Sequence, residues 1–171
     1  GEGAELALAE AIELANDKGL FRRLALAVGE LGSLVYRRGE LERAEELFMQ
    51  AKKREQQLGR LVAEAENSFR LSTVERARGH LAKAAKELDE AEKLFDLAGH
   101  PNGKSRCLFA KAGLEHANGR GDEALVLLEQ CLSIRREIGD CLGAAQVLGE
   151  QATVHRDRGE LAAALELYTH S

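Results

Sequence analysis

Residues 21–60 read FRRLALAVGELGSLVYRRGELERAEELFMQAKKREQQLGR, with a glycine near the end of each half, Gly39 and Gly59. Outward from this stretch the same marks return. Gly79, Gly119 and Gly159 continue Gly39 in steps of forty residues, and Gly19, Gly99 and Gly139 keep the register of Gly59. Alanine holds the same spacing at Ala4, Ala44, Ala84, Ala124 and Ala164. A fixed period in this size range marks a repeat architecture. Each unit then buries its apolar face against its neighbours instead of in one central core.

Between successive glycines, apolar residues recur near i, i+3, i+4 and i+7, the period of a helix. A glycine just beyond each stretch supplies the left-handed conformation that stops a helix without a Cβ clash. The spacing predicts nine helices, at 3–17, 21–37, 41–57, 61–77, 81–97, 102–117, 121–137, 141–157 and 161–170. Pro101 falls at the start of one of them, where its missing N–H costs least. Helices of this length joined by two or three residues pack antiparallel. Their columns alternate in size. Ala11, Ala51, Ala91, Cys131 and Ser171 are small, while Leu8, Phe48, Leu88, Leu128 and Tyr168 are large. In the partner helix, Gly32, Ser72, Ala112 and Ala152 are small again, as are Ala25, Ala65, Ser105 and Ala145. Small residues let helix backbones approach, and a large one fills the hole beside them.

Composition agrees with this reading. Charged residues make up 31% and aromatics 4%, with a single proline, which leaves few β-branched or aromatic runs for strands. A formal charge of −5 argues against nucleic acid as a direct partner, which calls for concentrated lysine and arginine. No apolar run reaches membrane-spanning length, and the start lacks a signal-peptide pattern. Three cysteines without CxxC spacing, Cys107, Cys131 and Cys141, suggest reduced thiols and a cytoplasmic location. The chain begins without methionine and starts and stops inside a repeat, so a piece of a longer protein is expected. Residues 1–171 are expected to form one domain. Its parts are the second helix of a truncated repeat at 1–19, full repeats at 20–59, 60–99 and 100–139, and a final truncated repeat at 140–171.

This pattern resembles the tetratricopeptide repeat. Val28, Leu31 and Gly32 match its first-helix signature, Gly39 its turn, and Ala44, Phe48 and Ala51 its second helix. Leu71, Ser72, Gly79, Ala84, Leu88 and Ala91 repeat the match, followed by Leu108, Ala112, Gly119, Ala124, Leu128 and Cys131. Leu148, Ala152, Gly159, Ala164 and Tyr168 close the series. Two departures are a period of 40 instead of 34, and the absence of the family's tryptophan and closing proline. The longer unit looks like the long-helix variety of Pins-type adaptors and of sensor arms in bacterial regulators. The resemblance implies an all-α, right-handed α-solenoid of antiparallel helix pairs with about four repeats.

Catalytic signatures are missing: no GxSxG, HExxH, GxxxxGK[ST] or GxGxxG occurs. No enzyme activity, cofactor or metal is therefore expected. Arg120-Gly121-Asp122 spells an adhesion tripeptide, but it falls on a turn where glycine and an N-capping aspartate serve helix punctuation. What remains is the helix face left over after stacking. In 21–37 the packing residues share one side, and positions 26, 30, 33 and 37, flanked by 29 and 36, lie opposite. In the resembled family this face lines a concave groove that binds peptides. Its central column, Ser33, Thr73, Gly113 and Thr153, is small. The candidate partner-binding residues are Tyr36, Arg37, Phe69, Arg70, Thr73, Arg76, Arg106, Phe109, His116, Thr153 and Arg156. Arginine grips carboxylates and phenylalanine anchors apolar side chains, so the expected partner is a protein or peptide with acidic and apolar residues. Glu66 and Arg70 could instead support their own helix, Arg70 could reach Glu30 across the repeat, and the phenylalanines could pack on the next helix.

The expected function is a non-catalytic protein–protein interaction scaffold holding a peptide or helical segment in this groove. The alternative is a ligand- or peptide-sensing arm of a larger signalling protein, such as an ATPase-coupled transcription regulator. Leu161, Leu165 and Tyr168, on a helix with no following repeat in the sequence, suggest end-to-end self-association.

Overall fold

The computed structural model describes residue 3, residues 6–10 and residues 21–160. Within that span the chain is all helix and turn. Residues 3 and 6–10 belong to α1. Seven helices of 17 residues follow: α2 (Phe21–Arg37), α3 (Leu41–Gln57), α4 (Leu61–Ala77), α5 (Leu81–Leu97), α6 (Pro101–Ala117), α7 (Gly121–Glu137) and α8 (Cys141–Asp157). The helix expected from residue 102 starts one residue earlier, with Pro101 in its first turn. The ninth expected helix, at 161–170, lies outside the described residues, as does most of the first. α2, α4, α6 and α8 occupy the first-helix position of each repeat and are termed A helices; α3, α5 and α7 are B helices.

The chain divides into two compact units, Gly1–Ala98 and Gly99–Ser171. In the first, α2 pairs with α3, α3 with α4 and α4 with α5, and α2 also touches α4. In the second, α6 pairs with α7 and α7 with α8. Each unit is a stack of antiparallel helices with TPR-like repeat geometry.

Seven turns share one device. Gly39, Gly59, Gly79, Gly99, Gly119, Gly139 and Gly159 all have φ between 60° and 82°. At Gly39, Gly59, Gly79, Gly119, Gly139 and Gly159 the residue after the glycine sends its backbone N–H back to a carbonyl five residues earlier: Arg60 to Glu55 at 3.0 Å, His80 to Glu75 at 2.8 Å, Arg120 to Glu115 at 2.9 Å. This is the six-to-one bond of a Schellman cap, which satisfies a helix-end carbonyl. The same residue pairs then join through their side chains. Glu55 meets Arg60 at 3.0 Å and Glu75 meets His80 at 2.7 Å; Glu115 and Arg120 bond likewise, and His155 with Glu160 reverses the polarity. A side chain engaged in such a clamp does not cap the next helix, and α4, α5 and α7 show no side-chain N-cap bond; α3 shows none either, its Glu40 pairing with Arg43 at 3.4 Å. His100 and Asp140 do cap, accepting from the backbone N–H of Gly103 and Gly143 at 3.0 and 2.9 Å. The expectation of Asp122 as an N-cap is corrected here: Arg120 holds that position, and Asp122 lies inside the first turn of α7.

The size columns pack as their sequence order implies. Ala44, Ala51, Ala84, Ala91, Ala124 and Cys131 are fully buried, with Phe48, Leu88 and Leu128 between them. Gly32 is specific to its neighbour, because a Cβ there would stand 2.8 Å from the Phe48 ring. The equivalent Ser72 and Ala112 belong to repeats whose large residue is a leucine. One A helix departs from the apolar rule. α4 buries Glu64, Asn67, Ser68, Ser72 and Glu75, where α2 carries Leu24, Ala27, Val28, Gly32 and Val35.

Candidate functional site

In the first unit, the A-helix face combines Tyr36 and Arg37 on α2 with Phe69, Arg70, Thr73 and Arg76 on α4. Tyr36 is half-buried and packs against the cluster of Leu31, Val35, Ala44, Phe48, Leu71 and Val74. Arg70 joins the two helices, with Nη2 3.1 Å from Glu30 Oε1 and its guanidinium 5.9 Å from the centre of the Phe48 ring. Of the alternatives open for Arg70, the structure uses the pair across the repeat. Thr73 donates its hydroxyl to the Phe69 carbonyl at 3.2 Å, and Ser33 donates to Gly29 at 3.1 Å. These hydroxyls are satisfied by their own helices, the usual back-bond of serine and threonine in a helix. Arg37 and Arg76 are exposed at the ends of α2 and α4.

The second unit places Arg106, Phe109 and His116 on α6 and Thr153 and Arg156 on α8. Phe109 is half-buried, packed against the Leu108, Ala112, Leu128 and Val147 cluster, and the Arg135 guanidinium lies 5.2 Å from its ring centre. The packing alternative thus holds for this phenylalanine. His116 bridges α6 to α8: Nε2 lies 3.2 Å from Asp157 and Nδ1 3.6 Å from Glu150. Arg156 turns onto Asp157 at 3.0 Å, through both Nε and Nη2. Thr153 bonds to the Gly149 carbonyl at 3.0 Å.

Sequence reading missed the polar interior around α4. Lys52 on α3 reaches Glu87 and Glu90 on α5, both at 2.9 Å. Burial works against its charge, yet the bonds to these two carboxylates hold its pKa above the ordinary lysine value. Burial, with Glu90 nearby, pushes the buried Glu64 carboxyl up, and Lys52 only partly offsets it. Burial would also raise Glu75, but bonds with His80 and Glu45 and the proximity of Lys83 hold it below its usual range. Ser68 Oγ and Asn67 Oδ1 are buried without a hydrogen-bond partner. The signal for this interior was present as polar residues at apolar column positions.

Among the described residues no group of three or more His, Cys, Asp and Glu side chains could hold a metal ion. Cys107 and Cys131 are buried and Cys141 is exposed. Cys131 donates its thiol to the Ser105 carbonyl at 3.2 Å, and burial pushes its pKa up, which suits a packed thiol better than a nucleophile. The Arg120-Gly121-Asp122 turn has both charges engaged, Arg120 with Glu115 and Asp122 with Arg158 at 2.6 Å. No described helix is long and apolar enough to cross a membrane.

Residues 105–171 match the family model of the tetratricopeptide repeat. No curated protein matches the chain in sequence. Among solved structures, BtubC (BKLC) from P. vanneervenii is similar with a TM-score of 0.78 and 16% identity, over 95% of this chain and 76% of that one. Aspartyl phosphate phosphatase F from Bacillus subtilis gives 0.82 and 12%, over 98% of this chain and 47% of that one. The Rap conjugation gene regulator of plasmid pLS20, solved with the Phr* peptide, gives 0.70 and 13%, over 86% and 40%. At these identities the likeness establishes the fold, a TPR-like stack of helix pairs.

Proposed function

We propose that this tetratricopeptide-like chain is a non-catalytic protein-interaction scaffold that holds a peptide or helical segment of a partner against its A helices. One observation carries the reading. After stacking is satisfied, the A-helix faces still present half-buried Tyr36, Phe69 and Phe109, together with exposed Arg37, Arg76 and Arg156. A preformed surface of this kind lowers the ordering cost of binding, and aromatic residues with arginine are the side chains that dominate interface energies. Partner segments bearing acidic and apolar residues suit it best. The buried thiols of Cys107 and Cys131 accord with a reducing, cytoplasmic setting.

The test is capture of partners by the intact chain and by two surface variants, one per unit: Phe69→Ala with Arg76→Glu, and Arg106→Glu with Phe109→Ala. A third variant, Lys53→Glu with Lys86→Glu on the B helices, serves as control. Partners lost with either A-helix variant and kept by the control support the reading. Loss with the control alone moves the site to the B helices.

A second reading, a peptide-sensing arm of a larger signalling protein, draws on the fold shared with the Rap regulator solved with its Phr* peptide. It predicts that a short peptide suffices for binding and that its capture changes the activity of an adjoining domain. Self-association through Leu161, Leu165 and Tyr168 concerns residues outside the described ones. Light scattering that stays monomeric across a concentration series excludes it.

A further inference from the structure

The two ends of the helices in the first unit differ in what they show to solvent. α2 and α4 begin, and α3 and α5 finish, at one end; the α2–α3 and α4–α5 turns lie at the other. At the first end Phe21, Leu58, Leu61 and Val62 are between 37% and 57% exposed, and Leu97 at the close of α5 is 75% exposed. Among the described residues the other end shows no exposed large hydrophobic. Leu41 and Leu81 are half-buried there, Glu40 pairs with Arg43, Arg78 with Glu45 and His80 with Glu75. Stacking does not ask for the apolar end. One repeat earlier Lys18 and Arg22 take the places of Leu58 and Val62, and one repeat later Ala98 and Asn102 do. Scattered apolar residues need no account, but a group gathered at one end of a unit marks a contact surface.

The charges around that end decide what it fits. Within about a turn and a half of these residues, the exposed charges are Arg22, Arg23, Lys53 and Lys93 against Asp96. Glu55 and Glu64 are buried and Glu66 and Glu92 half-buried, while Arg54 bonds to the Gln50 carbonyl and Arg60 to Glu55. Asp17 and Lys18, outside the described residues, cancel in formal charge. Burial pushes the carboxyls of Glu55 and Glu64 up, which thins the negative charge further. Glu30 on α2 and Glu87, Asp89 and Glu90 on α5 stand about 10 Å or more from this end along their helices. That exceeds the Debye length of about 8 Å in physiological salt, so the chain's formal charge of −5 is screened here. Apolar side chains that reach out from helix ends, flanked by arginine and lysine, suit a boundary that is anionic outside and apolar within. Such contact needs no spanning helix.

We propose that the first unit docks by this end on an anionic lipid surface, with Phe21, Leu58, Leu61 and Val62 entering the headgroup boundary and Arg22 and Arg23 meeting the lipid headgroups. The contact uses helix ends and leaves the A-helix face free. It goes beyond the scaffold reading and stands or falls without it.

The probes are vesicles of phosphatidylcholine alone and of phosphatidylcholine with phosphatidylserine in equal parts, sedimented with the intact chain. Leu58→Gln with Val62→Gln removes apolar contact, and Arg22→Gln with Arg23→Gln removes charge. Leu26→Gln with Met49→Gln, exposed apolar residues away from this end, is the control, and circular dichroism checks that each variant folds. The chain has no tryptophan, so Leu61→Trp and Met49→Trp each supply a single reporter. The expected result is binding to the serine-lipid vesicles and little to phosphatidylcholine. The arginine variant should bind roughly thirtyfold more weakly, as for two cations taken from an anionic surface. The apolar variant should bind about tenfold more weakly, and the control should match the parent. Fluorescence of Leu61→Trp should shift to the blue on vesicles and be quenched by brominated acyl chains, while that of Met49→Trp stays in place. No sedimentation with either vesicle, or an equal loss with the control pair, would overturn the proposal. Binding that survives the apolar change and leaves Leu61→Trp unquenched would overturn it as mere charge adsorption. If the chain ignores vesicles but self-associates in light scattering, and Leu58→Gln with Val62→Gln abolishes that, the end joins copies of the chain and the lipid reading falls.

Discussion

At the scale of single residues, the repeat tolerates no average packing; each small residue answers a particular large one. Gly32 faces Phe48 so closely that a Cβ would sit 2.8 Å from the ring. Gly32→Ala should therefore destabilise the chain by about 2 kcal/mol through overpacking, despite alanine's better helix propensity. Phe48→Leu alone should also cost stability, since it leaves a void. Combined, the two changes recreate the Ala112–Leu128 combination and should lose less than the sum. A double-mutant cycle by urea denaturation that returned no coupling would refute the size-matching account. Ser68 shows the opposite mismatch. Its hydroxyl is buried without a partner where Val28 and Leu108 stand in other repeats. Ser68→Ala should raise stability by about 1 kcal/mol, because it removes an unpaired polar group and adds no volume. A lower urea midpoint would mean that the hydroxyl has a bonding partner, such as a buried water.

At the scale of the helix and its turn, two carboxylates of α4 are tuned in opposite directions. Glu75 has its pKa lowered from 4.5, with burial opposed and outweighed by the bonds with His80 and Glu45. Its contribution to stability is present above the ordinary glutamate range and is lost as pH falls through the depressed value. Glu64 has its pKa raised by burial and by Glu90, so its contribution is present below the ordinary value and lost as pH rises through the elevated one. Glu75→Gln should accordingly be less stable than the parent at pH 7, and Glu64→Gln more stable, with both differences fading toward pH 3. Thermal melts at the two pH values check the pair; differences of equal size at both would exclude titration as their origin. These elements also show where sequence reading succeeds. The forty-residue glycine spacing made the turns and helix ends legible, because a left-handed residue leaves little choice but glycine. The i, i+5 clamps of Glu55–Arg60 and Glu75–His80 were not legible, since a charged pair flanking a turn reads equally well as two solvated side chains. Nor could spacing tell which arginines find acids, because that depends on how α4 is rotated against α2. Arg70 and Arg76 differ by less than two turns in sequence yet by a complete ion pair in structure.

At the scale of the whole molecule, an acidic partner meets a chain whose formal charge is −5. The local arginines and the net charge then pull in different directions, and distance decides between them. At an ionic strength of about 0.01 M the Debye length is roughly 30 Å, so an approaching segment feels the charge of the entire chain and is repelled. At about 0.15 M it is roughly 8 Å, and only side chains close to the segment count. Added salt should therefore raise the association rate of an acidic partner segment modestly while it weakens its final contacts with the exposed arginines and speeds dissociation. Stopped-flow measurements at the two ionic strengths separate the two rates. An association rate that instead falls with salt would show that the cations of the A-helix layer steer the encounter from a distance, and that the net charge is too far from the binding face to matter.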